Sequence, residues 1–95
     1  MGEGWAGLRL DCPGARGVGK IVAAVAGADE KTWLVVRAGR LGRLTAVPGG
    51  DAVEGAGRVW VPYPRELLRE APRIDSQSEL DPAAERGLRE HYGIA

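Results

Sequence analysis

Thr32-Trp33-Leu34-Val35-Val36-Arg37 is the strongest strand signal in the chain. It is aromatic and β-branched, the composition that suits a pleated, half-buried surface. Turn residues bound it on both sides, Ala28-Asp29-Glu30-Lys31 before and Ala38-Gly39-Arg40 after. Its period of two predicts Leu34 and Val36 on one face, with Trp33, Val35 and Arg37 on the other.

The same punctuation recurs in both directions. Downstream, residues 41–47 read as a strand that stops at Pro48-Gly49-Gly50, and Arg58 to Tyr63 as another, with Val59 and Val61 opposite Trp60. Upstream, residues 20–26 (KIVAAVA) form a small apolar run between Gly19 and Gly27. Periodicity alone leaves such a run open between helix and strand, and the flanking glycines favour strand. Residues 6–12 alternate around Leu8 and Leu10 and precede a turn at Pro13 to Gly17. Short strands with a turn about every ten residues predict a mainly β fold, a small barrel or sandwich. Closure of the sheet would remove the exposed edges that a short all-β chain must manage.

The pattern changes after Tyr63. Pro64 to Glu70 predicts one or two helical turns with proline at the first position. Residues 73–80 are a polar connector. Asp81-Pro82 then looks like an N-cap followed by proline at N1. The helix that follows aligns Ala84, Leu88 and Tyr92 on one stripe and stops at Gly93. The expected organisation is one domain, with strands in residues 1–63 and a helical tail in residues 64–95 packed on them.

Bulk properties narrow the function classes. A chain of 95 residues supports one modest core. Apolar residues at 44% and charged residues at 27% fit a folded globular domain rather than a disordered one. The formal charge is zero, from 13 basic and 13 acidic side chains, which argues against a dedicated nucleic-acid binder. One cysteine, Cys12, permits no internal disulfide and fits a reducing compartment. With no signal-peptide or lipidation pattern at the N-terminus and no run long enough to span a bilayer, a cytoplasmic protein without a membrane role is expected.

Candidate chemistry is sparse. Gly14 to Lys20 fits the G-x-x-x-x-G-K part of a phosphate-cradling loop, but Ile21 stands where the magnesium-binding Ser or Thr is needed. The stretch also leads into a strand rather than a helix, so a glycine-rich hairpin turn is expected. His91 is the only histidine, and no serine, cysteine or carboxylate pairs with it in a recognisable triad. One His and one distant Cys are too few for a metal site. No catalytic residue, cofactor or metal is therefore expected. The remaining candidates are surface features. Arg37, Arg40 and Arg43 cluster around one turn and could contact an anion or RNA. Trp33 and Trp60 are candidates for a partner-binding surface, since tryptophan is enriched at interfaces, although a chain without phenylalanine also needs them for its core.

Several segments, taken in order, resemble the PRC-barrel family. They are Gly19-Lys20-Ile21, Trp33 to Arg37, Val47-Pro48, Val61-Pro62-Tyr63, Glu66 to Asp75, Glu79-Leu80, Glu85 and the closing His91-Tyr92-Gly93-Ile94. The tail looks like the bacterial stress-associated members, and the likeness runs from about residue 6 to residue 95. The family includes the cytoplasmic domain of the photosynthetic reaction-centre H subunit and the C-terminal domain of a ribosome maturation factor. The resemblance implies a five- or six-stranded β-barrel with one or two C-terminal helices and no catalytic residues. The implied role is a protein-binding adaptor or scaffold, with self-association as a homodimer a further expectation. A ribosome- or RNA-associated factor is the alternative.

Overall fold

The computed structural model describes residues 4–94. Its centre is β3 (Thr32–Ala38), the strand expected from the sequence. β3 pairs antiparallel with β2 (Ala15–Ala26) on one side and β4 (Arg43–Pro48) on the other. β2 returns to β1 (Arg9–Cys12) through a two-residue turn at Pro13-Gly14. Proline at the first central position and Gly14 at φ +77° at the second suit that tight reversal. β1 then pairs parallel with β6 (Arg58–Trp60), whose hairpin partner is β5 (Val53–Gly55). The sheet is mixed, with strand order β4-β3-β2-β1-β6-β5.

Two expectations need correction. The sheet is open: among the described residues no ladder joins its end strands β4 and β5, so the closed barrel is not seen. In addition, Trp33, expected on a partner-binding surface, is not on one: both faces of β3 are dry at Trp33 to Val36. Trp33 and Val35 are as buried as Leu34 and Val36. A strand covered on both sides needs a second layer, and here the tail supplies cover for the Trp33 face.

The tail has two helices, α1 (Arg65–Arg69) and α2 (Pro82–Tyr92). α2 starts at Asp81-Pro82 and ends at Gly93 in the left-handed conformation, φ +69°, which glycine adopts without steric penalty. The buried stripe of α2 is Glu85, Leu88 and Tyr92, with Ala84 only partly covered. Tyr92 packs against Trp33 and Tyr63 at ring-centroid distances of 6.4 and 5.2 Å.

The tail also covers the edge of β4. The Ile74 amide donates to the Leu44 carbonyl (3.0 Å), and the Tyr92 hydroxyl donates to the Ala46 carbonyl (3.1 Å). The Thr45 hydroxyl donates to the Pro72 carbonyl (2.6 Å). Leu44 and Ala46 are two residues apart, so their carbonyls share one edge, which is the edge facing away from β3. Chain from the tail thus occupies hydrogen-bonding positions that a neighbouring strand would otherwise take, and β4 is protected without barrel closure.

Candidate functional site

The cleft between the sheet and α1 collects most of the positive charge of the chain. It encloses about 880 Å³ and is lined by Arg9, Arg16, Lys20, Arg37, Arg40, Arg43, Arg65 and Arg69, with no carboxylate residue among its lining. Those eight are drawn from a total of 13 basic residues in a chain of zero net charge. The rest of the lining is Gly14, Ala15, Gly17, Val18, Gly19, Ala38 and Gly39, with the buried Leu68.

The register explains the clustering. Arg9 on β1 is the direct partner of Lys20 on β2, and Lys20 is the direct partner of Arg37 on β3. Direct partners project from the same face of a sheet, so the three form one cross-strand row of like charge. The β1–β2 ladder is irregular opposite Asp11: Leu10 pairs with Gly19 but Cys12 with Ala15. Gly17 in the extra stretch has φ +63°. Its amide donates to Asp11 Oδ1 (2.7 Å). Asp11 also accepts two hydrogen bonds from Arg58, at 2.7 and 2.8 Å. The Arg58 guanidinium holds the Asp11 carboxyl down to about 2, against the opposing effect of burial and with help from the Gly17 amide. Asp11 is therefore a fixed anion committed to Arg58, beside the cleft but outside its lining.

Two of the cleft arginines also brace the walls. Arg37 Nη1 donates to the Gly42 carbonyl (3.0 Å), which holds the β3–β4 turn. The Arg43 guanidinium donates to the Leu68 carbonyl at 3.3 Å and to the Arg69 and Ala71 carbonyls, satisfying the end of α1. Arg9, Arg16, Lys20, Arg40, Arg65 and Arg69 are exposed. The members of the expected trio, Arg37, Arg40 and Arg43, all line this cleft, but Arg37, paired with Leu44, and Arg43, paired with Ala38, project from opposite faces of the sheet. The sequence does not flag the other five as a group, because they become neighbours only through strand register and the docking of α1.

The other candidates separate. Trp33, expected as a possible contact surface, is 1% exposed and belongs to the core. Its indole Nε1–H donates to Glu85 Oε2 (3.2 Å). Trp60 is 42% exposed and stands directly across from Val53, itself 60% exposed. Cys12 is buried, and burial pushes its thiol pKa up, which suits a packing residue rather than a nucleophile. His91 Nε2 lies 2.6 Å from the Leu67 carbonyl; a proton on that nitrogen makes the bond, and it ties α2 to α1. Gly14 to Lys20 is the β1–β2 turn and the start of β2, with no helix following it.

Among the described residues no group of three or more His, Cys, Asp or Glu is arranged to hold a metal ion, and no helix is long and apolar enough to cross a membrane. A scan of protein-family models matches none to this chain, and a search of curated proteins finds no significant match.

Proposed function

We propose that this chain is a binding module of the PRC-barrel kind, an adaptor without catalysis, whose working surface is the basic cleft and whose partner presents closely spaced negative charge. The observation that carries it is the gathering of eight cationic side chains from β1, β2, β3, β4, their turns and α1 into one cleft. Like charges set directly across a sheet are unfavourable to stability. The row Arg9, Lys20, Arg37 works against the fold, and an anionic partner would relieve that repulsion. The walls are braced independently, by Arg43 on the end of α1 and by Asp11 with Arg58, so the surface is rigid before a partner arrives.

The test uses heparin as a generic polyanion. Arg16→Glu/Lys20→Glu/Arg40→Glu removes cleft charge at positions exposed to solvent. Lys31→Glu/Arg73→Glu/Arg86→Glu makes the same change in net charge outside the cleft lining. The wild type and the second variant are expected to elute from a heparin column at similar salt, and the cleft variant much earlier. Equal loss in both variants, or no retention of the wild type at low salt, rejects the cleft as the working surface.

A specific observation favours self-association as a second reading. β5 is an end strand, and its Val53 forms an exposed apolar pair with Trp60 across from it on β6. Sedimentation at micromolar concentration decides it, since a single species at the 10.0 kDa chain mass excludes a dimer.

A further inference from the structure

We infer that the anion this cleft takes is the phosphodiester backbone of a nucleic-acid duplex, held by charge and shape without base stacking. The inference rests on the polyanion-binding reading above and names its ligand. It starts from the kind of cation present. Of the basic residues lining the cleft only Lys20 is a lysine; the others are arginines. Arginine presents a planar fork that matches phosphate and carboxylate oxygens two at a time.

The rest of the lining separates phosphate from carboxylate. Binding to an acidic protein segment draws its energy from a few aromatic or large aliphatic anchors seated in pockets. The cleft offers none: its uncharged lining is glycine, alanine, one valine and one leucine, and Leu68 is itself buried in the core. The exposed tryptophan, Trp60, does not line it. A site that depends almost wholly on charge needs a ligand with dense, regular charge, and a duplex carries one per about 1.7 Å of axis. The same lack of aromatics removes the stacking platform on which single-stranded binders depend. What is left is contact with the backbone, which positions a protein on a duplex and reads no sequence.

Glycine supports close approach. Gly14 and Gly39 line the cleft, whereas the missing Cβ of Gly19 faces the β3 backbone at Arg37 and Ala38. At Gly14 and Gly39 open space surrounds the missing Cβ, so the backbone itself can face the ligand there. The net charge of zero is no obstacle, because eight of the 13 basic side chains line the cleft and its lining holds no carboxylate. Of the carboxylates outside it, Asp11 is held by Arg58 and Gly17, and Glu85 and Asp29 by Arg89.

The decisive experiment is fluorescence anisotropy with labelled 20-base-pair RNA and DNA duplexes, a single strand of the same length and a poly-glutamate peptide, across a salt series. Both duplexes are expected to bind. If about four to six phosphates are neutralised, the slope of log K against log salt is about −4 to −5. In Arg16→Glu/Lys20→Glu/Arg40→Glu, affinity is expected to fall at least about tenfold and the slope to flatten by about three. In Lys31→Glu/Arg73→Glu/Arg86→Glu it is expected to stay close to the wild type. A preference for RNA or DNA identifies the source of the duplex. Binding of poly-glutamate with no binding of duplex overturns the phosphate inference and leaves the polyanion reading standing. Tighter binding of the single strand overturns the backbone-only contact. Failure of every anion overturns both.

Discussion

Trp33 Nε1–H donates to Glu85 Oε2 across 3.2 Å, joining the central strand to the last helix through a bond buried from solvent. The same carboxylate accepts from the Ala28 amide at 3.0 Å and from Arg89 at 3.0 Å. Arg89 in turn reaches Asp29 at 2.9 Å. One acidic side chain on α2 therefore gathers the β2–β3 turn, the indole of β3 and its own neighbour one helical turn on. Burial disfavours the charge on Glu85, but the Ala28 amide, Arg89 and the indole outweigh it, and its pKa lies below the usual carboxylate value.

Removal of this carboxylate strands its donors. Glu85→Ala leaves the Trp33 and Ala28 N–H groups without their acceptor and is expected to destabilise the fold by about 2–3 kcal/mol. For a domain of this size that lowers Tm by about 10–20 °C. Thermal melting followed by tryptophan fluorescence reads the effect. An unchanged melt would show that α2 is not held through Glu85.

Gly27 tests the same joint from the other side. A Cβ at Gly27 would stand 2.2 Å from Glu85 Oε2 and 2.9 Å from Trp33 Nε1, closer than non-bonded atoms come. Gly27→Ala is expected to push the carboxylate off the indole and to destabilise by an amount comparable to Glu85→Ala. Combined, the two substitutions are expected to sum to well under the total of the singles, since both break one contact. Full additivity in urea unfolding would place the strain at Gly27 somewhere other than Glu85.

Much of the fold could be read from residue patterns, and the site could not. β3 and its flanking turns stand out because Trp33 to Val36 are aromatic or branched, and α2 because Asp81-Pro82 and Gly93 punctuate it. β5 is missed because Val53, Glu54 and Gly55 are all exposed, which leaves no alternation to detect. Glu85 is missed as a core residue because a carboxylate on an apolar stripe reads as surface until its donors are in place. The basic row is invisible for another reason: Arg9, Lys20 and Arg37 meet only through the register of three strands. The two-sided burial of β3 has a direct consequence. Leu34→Asp and Val35→Asp point to opposite faces, yet each buries an unpaired carboxylate and both are expected to abolish cooperative unfolding. Circular dichroism melts check this. A native-like melt for Val35→Asp would mean that its face opens to water.

Acid is expected to weaken the molecule through Asp11. Its folded pKa, about 2, lies below the ordinary value of 3.8. The unfolded chain then binds the proton more readily than the folded one, so stability is held above about pH 4 and lost as pH falls toward the folded value. Glu85, lowered as well, adds to the loss in the same direction. Arg58→Gln releases Asp11 toward its ordinary value. This variant is expected to be less stable at neutral pH and to show a flatter decline on acidification. A decline as steep as that of the wild type would assign the acid sensitivity to other carboxylates.

The β5–β6 turn carries avoidable strain. Ala56 and Gly57 both lie at positive φ, 55° and 74°, the signature of a type I′ hairpin turn. Glycine adopts this region freely, but an alanine there costs about 1 kcal/mol or more. Asn is the residue that type I′ turns favour at the first position. Ala56→Asn is therefore expected to stabilise the hairpin by up to about 1 kcal/mol. Ala56→Gly is expected to gain less, because the unfolded chain gains freedom too. β5 is a short, exposed end strand, so it can open without unfolding the core. The gain is then expected chiefly as slower amide exchange in residues 53–60, with little change in Tm. A raised Tm without local protection would mean that this hairpin unfolds together with the rest of the sheet.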